Sequence, residues 1–215
     1  RAGKQAVWGG TGGQIVFWDL TTGQQRSKVD LGEGTVIALA WSPTNSFLAI
    51  GWRAQADSGD EIVVYDPTTL EKKGSVRVSR ERLVALRWTP VGERLVSASN
   101  PVVGRTDSGV LRLWSMEQAD PLATMYDPSG PLRARACSPD GERLVSVGQD
   151  GRLRLWSTAQ GEEVVSLGGP AADPRQLVWL AGGTRIVTAG QGGRITVWDA
   201  SDSYRRFASR KQLSV

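Results

Sequence analysis

The stretch SPDGERLVSVGQDGRLRLWS, residues 138 to 157, decides the fold. Pro139-Asp140-Gly141 predicts a tight turn, because proline presets φ and because Asp and Gly tolerate the other turn positions. Leu144 to Val147 is an apolar run of strand length, and Asp150-Gly151 is typical of a hairpin. Arg152 to Trp156 then alternates polar and apolar residues, as a half-buried strand does. The stretch therefore predicts two antiparallel strands, and nothing in it indicates catalysis.

Near-copies of the second strand recur along the chain, each ending in an aromatic residue. They are QIVFWD (14–19), EIVVYD (61–66), VLRLWS (110–115), RLRLWS (152–157) and RITVWD (194–199). The aromatic anchors are Trp18, Tyr65, Trp114, Trp156 and Trp198, and they lie 47, 49, 42 and 42 residues apart. Recurrence at 42 to 49 residues is typical of a repeat architecture.

Three further short strands accompany these anchors. One precedes every copy (5–10, 47–52, 94–99, 143–148, 185–190), and another precedes that one in four cases (36–43, 83–90, 132–139, 177–183). A more polar strand follows each anchor (24–31, 72–78, 121–126, 162–167, 204–210). A sheet of four short strands cannot bury both faces alone, but such sheets can stack around an axis. The sequence therefore predicts an all-β protein, a β-propeller of four-stranded antiparallel blades.

The order SPDG, then LVS, then DGRLRLW resembles the WD40-repeat β-propeller family, and the resemblance covers essentially the whole chain. It implies that the strands of a blade run from a, the innermost, to d, the outermost. It also implies a non-catalytic platform that binds other proteins. Quinoprotein-like propellers remain an alternative.

The chain departs from the family pattern in two ways. The Trp-Asp pair is present only at 18–19 and 198–199, and the Gly-His pair is missing, because the chain has no histidine. The family's network joins that His to a hairpin Asp, a Ser or Thr, and the Trp. Here the fourth blade keeps Ser146, Asp150 and Trp156, and the fifth keeps Thr188 and Trp198.

The blades of this single propeller segment, 1–215, are expected at about 1–31, 36–78, 83–126, 132–167 and 176–210. The first lacks its innermost strand, since Gly3 to Val7 matches Gly141 to Val145 inside the a–b turn. Five blades are few for the family, and an open arc would leave blade faces unpaired. We therefore expect the segment to belong to a larger propeller.

Composition excludes several classes of protein. No apolar run approaches the ~18 residues of a membrane-spanning helix, so no membrane partner is expected. The absence of histidine removes the commonest metal ligand and general base, so we expect no catalytic residues, no metal and no cofactor. The single cysteine, Cys137, favours a reducing compartment, and we expect a cytoplasmic protein. The net charge of +4 is spread along the chain rather than clustered.

The tryptophans divide into periodic and off-register ones. Trp41, Trp88 and Trp179 share one position of strand a, and Cys137 takes that position in the fourth blade. Periodic placement predicts packing between blades for these residues and for the anchors. Trp52 is off-register at the end of strand b, where either a partner contact or local packing is expected.

Two long b–c hairpins suggest a binding surface. They are 51–60 and 100–109, in neighbouring blades, and the family resemblance puts b–c and d–a loops on one face. Arginine suits forked contacts with carboxylates and phosphates. The predicted partner-binding residues are Trp52, Arg53, Arg80, Arg82, Arg105, Arg133 and Arg175, with ordinary solvated loop arginines as the alternative. Arg135 stands where Leu39, Leu86 and Leu177 stand in other blades, so it either turns into the central channel or pairs with an unidentified carboxylate.

Several functions fit these features. The first is an interaction scaffold, a WD40 propeller domain of a larger chain or a multiprotein assembly, binding other proteins on its loop face. The second is a sensing propeller of a multidomain signalling or defence protein, bacterial in character, whose effector domain lies outside this chain. The third is nucleic-acid binding through the arginine face, which would depend on salt. A propeller enzyme is the least favoured, because its acid, base and metal groups are missing.

Overall fold

A computed structural model describes residues 4–54, 59–78, 81–90, 92, 94–101, 108–118, 120–168, 174–190 and 193–201. They form eighteen strands: β1 (Gln5–Gly9), β2 (Gln14–Asp19), β3 (Gln24–Asp30), β4 (Gly34–Trp41), β5 (Leu48–Ala54), β6 (Asp60–Tyr65), β7 (Lys72–Val78), β8 (Glu81–Trp88), β9 (Arg94–Pro101), β10 (Gly109–Ser115), β11 (Ala123–Asp127), β12 (Ala134–Cys137), β13 (Arg143–Val147), β14 (Leu153–Ser157), β15 (Glu163–Leu167), β16 (Pro174–Trp179), β17 (Arg185–Gly190) and β18 (Ile195–Asp199).

The strands pair into five separate antiparallel sheets, each made of strands consecutive in the chain. Blade 1 is β1 to β3, blade 2 is β4 to β7, blade 3 is β8 to β11, blade 4 is β12 to β15 and blade 5 is β16 to β18. The prediction of an all-β fold with antiparallel, four-stranded blades is confirmed for blades 2 to 4. Blade 1 has only strands b, c and d in the described residues. The fourth strand predicted for blade 5, at 204–210, lies outside the described residues.

Four apolar clusters fill the spaces between consecutive blades. The cluster between blades 1 and 2 contains Ile15, Phe17 and Leu48, and the one between blades 2 and 3 contains Ile62 and Trp88. Equivalent clusters lie between blades 3 and 4 and between blades 4 and 5. Each sheet thus buries its faces against its neighbours, which is why the alternating strands of the sequence specify a stack of blades.

The residue after each strand c anchor caps the turn to strand d. In blade 1, one carboxylate oxygen of Asp19 accepts the backbone N–H groups of Thr21 and Thr22, at 2.7 and 3.2 Å. Asp66 accepts the N–H groups of Thr68 and Thr69 in the same way. These donors hold the pKa of both carboxyls below the ordinary value. In blade 4 the Ser157 hydroxyl takes over this role, accepting the N–H of Gln160 at 3.3 Å. A polar cap is therefore kept where the Trp-Asp pair is lost.

The blades have two edges with different loops. Strand b ends, strand c begins and strand a begins at one edge, which we call the loop face. The a–b and c–d turns lie at the opposite edge, which we call the turn face. The b–c connection of blade 4 is a tight turn in which the Gly151 N–H donates to Gly148 O at 3.2 Å. Residues 55–58 and 102–107 of the two long hairpins lie outside the described residues.

Candidate partner-binding face and the adjoining arginine cavity

A buried carboxylate stands at the loop face of blade 2. The Asp60 side chain has no exposed surface, and Arg53 donates two hydrogen bonds to it, both 2.8 Å long. Asp60 also accepts the backbone N–H of Leu83 in blade 3, at 2.6 Å. Arg82 of blade 3 lies 3.7 Å from the same carboxylate. Asp60 therefore ties blade 2 to blade 3, and it holds two of the predicted partner-binding arginines in place.

Trp52 is buried, with 6% of its surface exposed. Its ring lies against glycines of β4 and of the β1–β2 turn: a Cβ atom on Gly34 or Gly13 would come within 2.5 or 2.8 Å of it. The contact predicted with a partner is therefore wrong for this side chain, and the alternative of local packing is correct. The two glycines make room for the indole between blades 1 and 2, which the position of Trp52 at a hairpin does not reveal.

A second ion pair lies within blade 3. Arg112 of β10 forms a forked contact with Glu81 of β8, in which Nη2 donates to Oε1 at 2.8 Å. Both side chains are largely buried, with 15% and 11% of their surfaces exposed. The pair crosses strand b to join strands c and a, so it stiffens the sheet behind the loop face.

A second buried carboxylate, Asp127, joins blades 3 and 4. It lies at the end of β11, and it accepts the hydroxyl of Ser146 in β13 at 2.7 Å. That Ser146 oxygen in turn accepts the indole N–H of Trp156 at 2.9 Å. Arg154 of β14 lies 3.1 Å from the Asp127 carboxylate. Asp127 therefore accepts the hydrogen bond that completes the network of Trp156 and Ser146, although this chain lacks the histidine of the family pattern.

Arg154 also binds Asp150, the hairpin carboxylate predicted as part of that network. Arg154 Nη2 donates to Asp150 Oδ2 at 2.5 Å, and Glu163 lies 3.7 Å from Arg154 Nε. The hydrogen bond from Arg154 lowers the pKa of Asp150 below the ordinary value. In blade 4 the hairpin carboxylate of Asp150 therefore joins the buried network through Arg154, where the family pattern has a histidine.

The indole–hydroxyl contact recurs in two other blades. The Trp114 N–H donates to the Ser97 hydroxyl at 2.8 Å, and the Trp198 N–H donates to the Thr188 hydroxyl at 3.1 Å. Blade 2 has Tyr65 as its anchor, and Ile50 occupies the corresponding strand b position. Sequence reasoning found the tryptophans and hydroxyls of this network, but missed Asp60 and Asp127, whose partners are 23 and 19 residues away.

The strand c anchors pack against the preceding blade. Trp114 and Trp156 are 5% and 4% exposed in the clusters that they share with blades 2 and 3. Tyr65 packs against blade 1 in the same way, and Trp198 is partly buried against blade 4. Trp18 is 40% exposed, because no blade of the described residues precedes blade 1.

The two outermost sheets each present an uncovered apolar face. On blade 1 this face carries Trp8 and Trp18, which are 58% and 40% exposed. On blade 5 it carries Val178 and Ile195, which are 52% and 58% exposed. In blades 2 to 4 the corresponding sheet faces are buried against a neighbouring blade.

The remaining predicted partner-binding residues separate into two pairs. Arg80 and Arg105 lie outside the described residues. Arg133, just before β12, and Arg175, in β16, have exposed side chains and line one cavity of about 440 Å³. The cavity lies where strands a of blades 3, 4 and 5 face the central channel. It opens because β8 and β12 approach each other less closely than the neighbouring pairs β4–β8 and β12–β16.

Arg135 lies in this cavity and resolves the alternative left open by the sequence. Its Nη2 donates to the backbone oxygen of Val84 in β8, at 3.0 Å. No ion pair joins it to a carboxylate within the described part of the chain. Arg135 therefore bridges the gap between blades 3 and 4 through a main-chain acceptor, on the channel side.

A second cavity, of about 490 Å³, lies toward the turn face. Trp41, Trp88 and Trp179 line it, together with Cys137, at the shared position of strand a. Trp88 stacks on Phe47 and donates its indole N–H to Ala40 O at 2.9 Å, and Arg143 lies over the ring of Trp179. The predicted packing role of these strand a tryptophans is confirmed for Trp88, which is 4% exposed.

Cys137 is expected to resist thiol reagents in the native protein. Burial raises the pKa of its thiol to about 11, so the reactive thiolate is scarce at pH 8. A chromogenic disulfide reagent should label it slowly at pH 8 and at once in denaturant. Because the folded pKa is raised, the thiol's stabilising contribution is complete below pH ~8.5 and is lost as pH rises toward 11. Rapid stoichiometric labelling without denaturant would contradict its burial.

The described residues contain no group of acidic, Cys or His side chains arranged to hold a metal ion. Within the same residues, no helix is long and apolar enough to cross a membrane.

Comparisons with known proteins agree with this geometry. Residues 119–157, which include the stretch that decided the fold, match the family model described as WD domain, G-beta repeat. No curated protein sequence matches the chain. Among solved structures, the chain is similar to one in the crystal structure of the mitotic checkpoint complex, with a TM-score of 0.76 and 19% identity. The match covers 94% of this chain and 59% of the other, so the chain spans about three fifths of that protein's length.

The four-stranded blades, the indole–hydroxyl contacts and the matching repeat agree on one assignment. Residues 119–157 match a WD repeat, and the described residues have the blade architecture of a β-propeller.

Proposed function

We propose that this propeller is a protein-interaction scaffold whose partners bind on the loop face. The observation that supports this most is the loop face itself. Two extended hairpins of adjacent blades open there, and Arg82 and Arg133 present exposed side chains beside them. Members of the family are generally non-catalytic scaffolds, and a fold alone does not specify a partner.

The ion pairs behind this face support a rigid platform. Asp60 and Asp127 are both buried, and each is bonded to groups of two blades. Arginines that bind from a preorganised position lose less conformational entropy than free ones do. Because the pairs fix the strand ends from which the loops leave, partner residues would meet a surface of defined shape.

We further propose that the segment works as part of a larger propeller, in one chain or in an assembly. The uncovered apolar faces of blades 1 and 5 support this, because an inner blade buries the same faces. Additional blades would cover Trp18 on one side and Ile195 on the other.

A sensing propeller with its effector domain outside this chain remains the second candidate, and it uses the same face. Nucleic-acid binding is less favoured. Arg53, Arg112 and Arg154 point inward to carboxylates rather than outward to a phosphate backbone.

Alanine substitution of Arg82, Arg133 and Arg175 together is expected to weaken partner capture. The full-length protein would be immobilised, and captured proteins would be quantified by mass spectrometry against the unmodified protein. Removal of three arginines from one face should reduce its specific partners at least tenfold, since arginines are frequent binding hot spots.

The matched control replaces three exposed arginines of the turn face and outer strands, Arg26, Arg94 and Arg185, by alanine. It changes the net charge equally and should leave capture intact. Equal losses in both triple variants would indicate a general charge effect, and undiminished capture by the first variant would exclude the loop face. If the immobilised protein instead recovers RNA or DNA, and if this recovery is lost at high salt, the result would favour the nucleic-acid alternative.

A further inference from the structure

Three indole rings line the cavity that lies toward the turn face. Trp41, Trp88 and Trp179 stand at the shared position of strand a in blades 2, 3 and 5. The cavity measures about 490 Å³, which lies within the range of sites for small molecules. Leucine and proline side chains complete much of the wall, at Leu39, Leu86, Pro90 and Pro139. Such walls favour a flat, apolar ring, because aromatic rings pack well on other rings.

The Trp88 side chain has both of its indole contacts within the fold. It is 4% exposed, and its ring stacks on Phe47 of blade 2 with 5.8 Å between the ring centroids. Its N–H donates to Ala40 O, also of blade 2, at 2.9 Å. Trp88 is therefore the reference for a strand a indole whose polar group is satisfied.

Trp179 keeps one of these two contacts and lacks the other. Arg143 of blade 4 stands where Phe47 stands in blade 2, and its guanidinium carbon lies 4.9 Å from the centroid of the Trp179 ring. The Trp179 indole nitrogen is buried, and it has no acceptor among the residues that the structure describes. A buried donor without an acceptor is uncommon in native proteins, so we expect the acceptor to come from a bound molecule.

The occupied ring faces disfavour a cation, which is a common ligand of aromatic cages. A cation needs a free face of an aromatic ring. The guanidinium group of Arg143 already covers one face of Trp179, and Phe47 covers one face of Trp88. The interaction that Trp179 lacks is a hydrogen bond to an acceptor, and a carbonyl oxygen supplies it without adding a charge.

We propose that this cavity binds an apolar ring that carries a carbonyl oxygen. The ring packs against the strand a indoles, and the oxygen accepts the N–H of Trp179. A free planar lactam has this chemistry. A proline residue of another protein has it too, since its ring is followed by a backbone carbonyl that a polyproline helix leaves unbonded. The site lies toward the turn face, so it is separate from the loop face proposed for partners.

Calorimetric titration of the full-length protein with N-methyl-2-quinolone, a flat neutral lactam, tests this proposal. A parallel titration uses a hexaproline peptide. We expect saturable binding at a single site for at least one of the two probes. Tighter binding of the lactam identifies a free small molecule as the source of the ring, and tighter binding of the peptide identifies a proline segment of a partner. Absence of saturable binding for both probes overturns the proposal.

Two variants locate the hydrogen bond. Trp179→Phe keeps an aromatic ring but removes the N–H, so it should weaken binding of the better probe about tenfold. Trp8→Phe is the matched control, since it removes an indole N–H from the uncovered face of blade 1, and it should bind as the unmodified protein does. Unchanged affinity in a folded Trp179→Phe would overturn the assignment, and so would an equal loss in Trp8→Phe.

The single cysteine gives a readout that needs no variant. Cys137 lines the same cavity, so a saturating amount of the better probe should slow the labelling of its thiol by a disulfide reagent in proportion to the occupied fraction. Labelling at an unchanged rate under saturation would place the bound molecule elsewhere and overturn the assignment.

Discussion

Replacement of Asp127 by Asn is expected to lower the free energy of unfolding by about 3 kcal/mol. The carboxylate is 1% exposed, and it accepts hydrogen bonds from Ser146 and Ser129 while facing Arg154. The Asn amide would present donors to groups that are themselves donors, and Arg154 would keep a buried charge with less compensation. Asp150 remains bonded to Arg154, which places the loss at the lower end of the range for broken buried pairs.

Urea unfolding followed by tryptophan fluorescence measures this loss as a shift in the midpoint at constant slope. Ser146→Ala provides a graded comparison, since it leaves the Trp156 N–H without its acceptor and should cost about 1–2 kcal/mol. Asp120→Asn, an exposed acid to amide change, should stay within about 0.5 kcal/mol. An Asp127→Asn midpoint as high as that of Asp120→Asn would mean that Asp127 does not hold blades 3 and 4 together.

Replacement of Asp60 by Asn should have the second largest effect, about 2–3 kcal/mol. The isosteric change keeps an acceptor for the Leu83 N–H but removes the charge that pairs with Arg53. Because a third of the Arg53 side chain is exposed, water recovers part of the loss, and we expect less than for a fully buried pair.

The same substitution should also alter the loop face. Arg53 and Arg82 both lose their fixed carboxylate, so hydrogen exchange at the start of β8 should accelerate while exchange in blade 5 stays unchanged. Arg53→Gln in the Asp60→Asn background should then cost little more than Asp60→Asn alone, since the two residues act on one contact. Fully additive losses would show that the pair is not a stabilising unit.

The sequence predicts the blades because its signals are local and repeated. The anchors Trp114, Trp156 and Trp198 recur at nearly constant spacing, and period-two alternation determines which face of each strand is buried. Turn residues such as those at 139–141 and 150–151 then set the strand bounds to within a few residues.

The candidate site could be predicted only in part, because its key contacts cross between blades. Trp52 looks like a loop residue, but Gly13 and Gly34, distant in sequence, create the space that buries it. Asp60 looks like a hairpin acid, yet its function depends on a backbone N–H of the next blade. The wider separation of β8 from β12 follows from no repeat signal, although strand a of blade 4 departs from the other strands a at Arg135 and Cys137.

The two uncovered faces of blades 1 and 5 are chemically unlike each other, since one carries indole rings and the other branched aliphatic side chains. A contact between like faces of two copies would therefore pair indole rings only with indole rings, or aliphatic side chains only with aliphatic ones. Contact between the blade 1 face of one copy and the blade 5 face of another leaves a further face free at each end. In isolation the 215 residues would consequently grow head to tail with rising concentration, and only a rotation that closes on itself would limit their number.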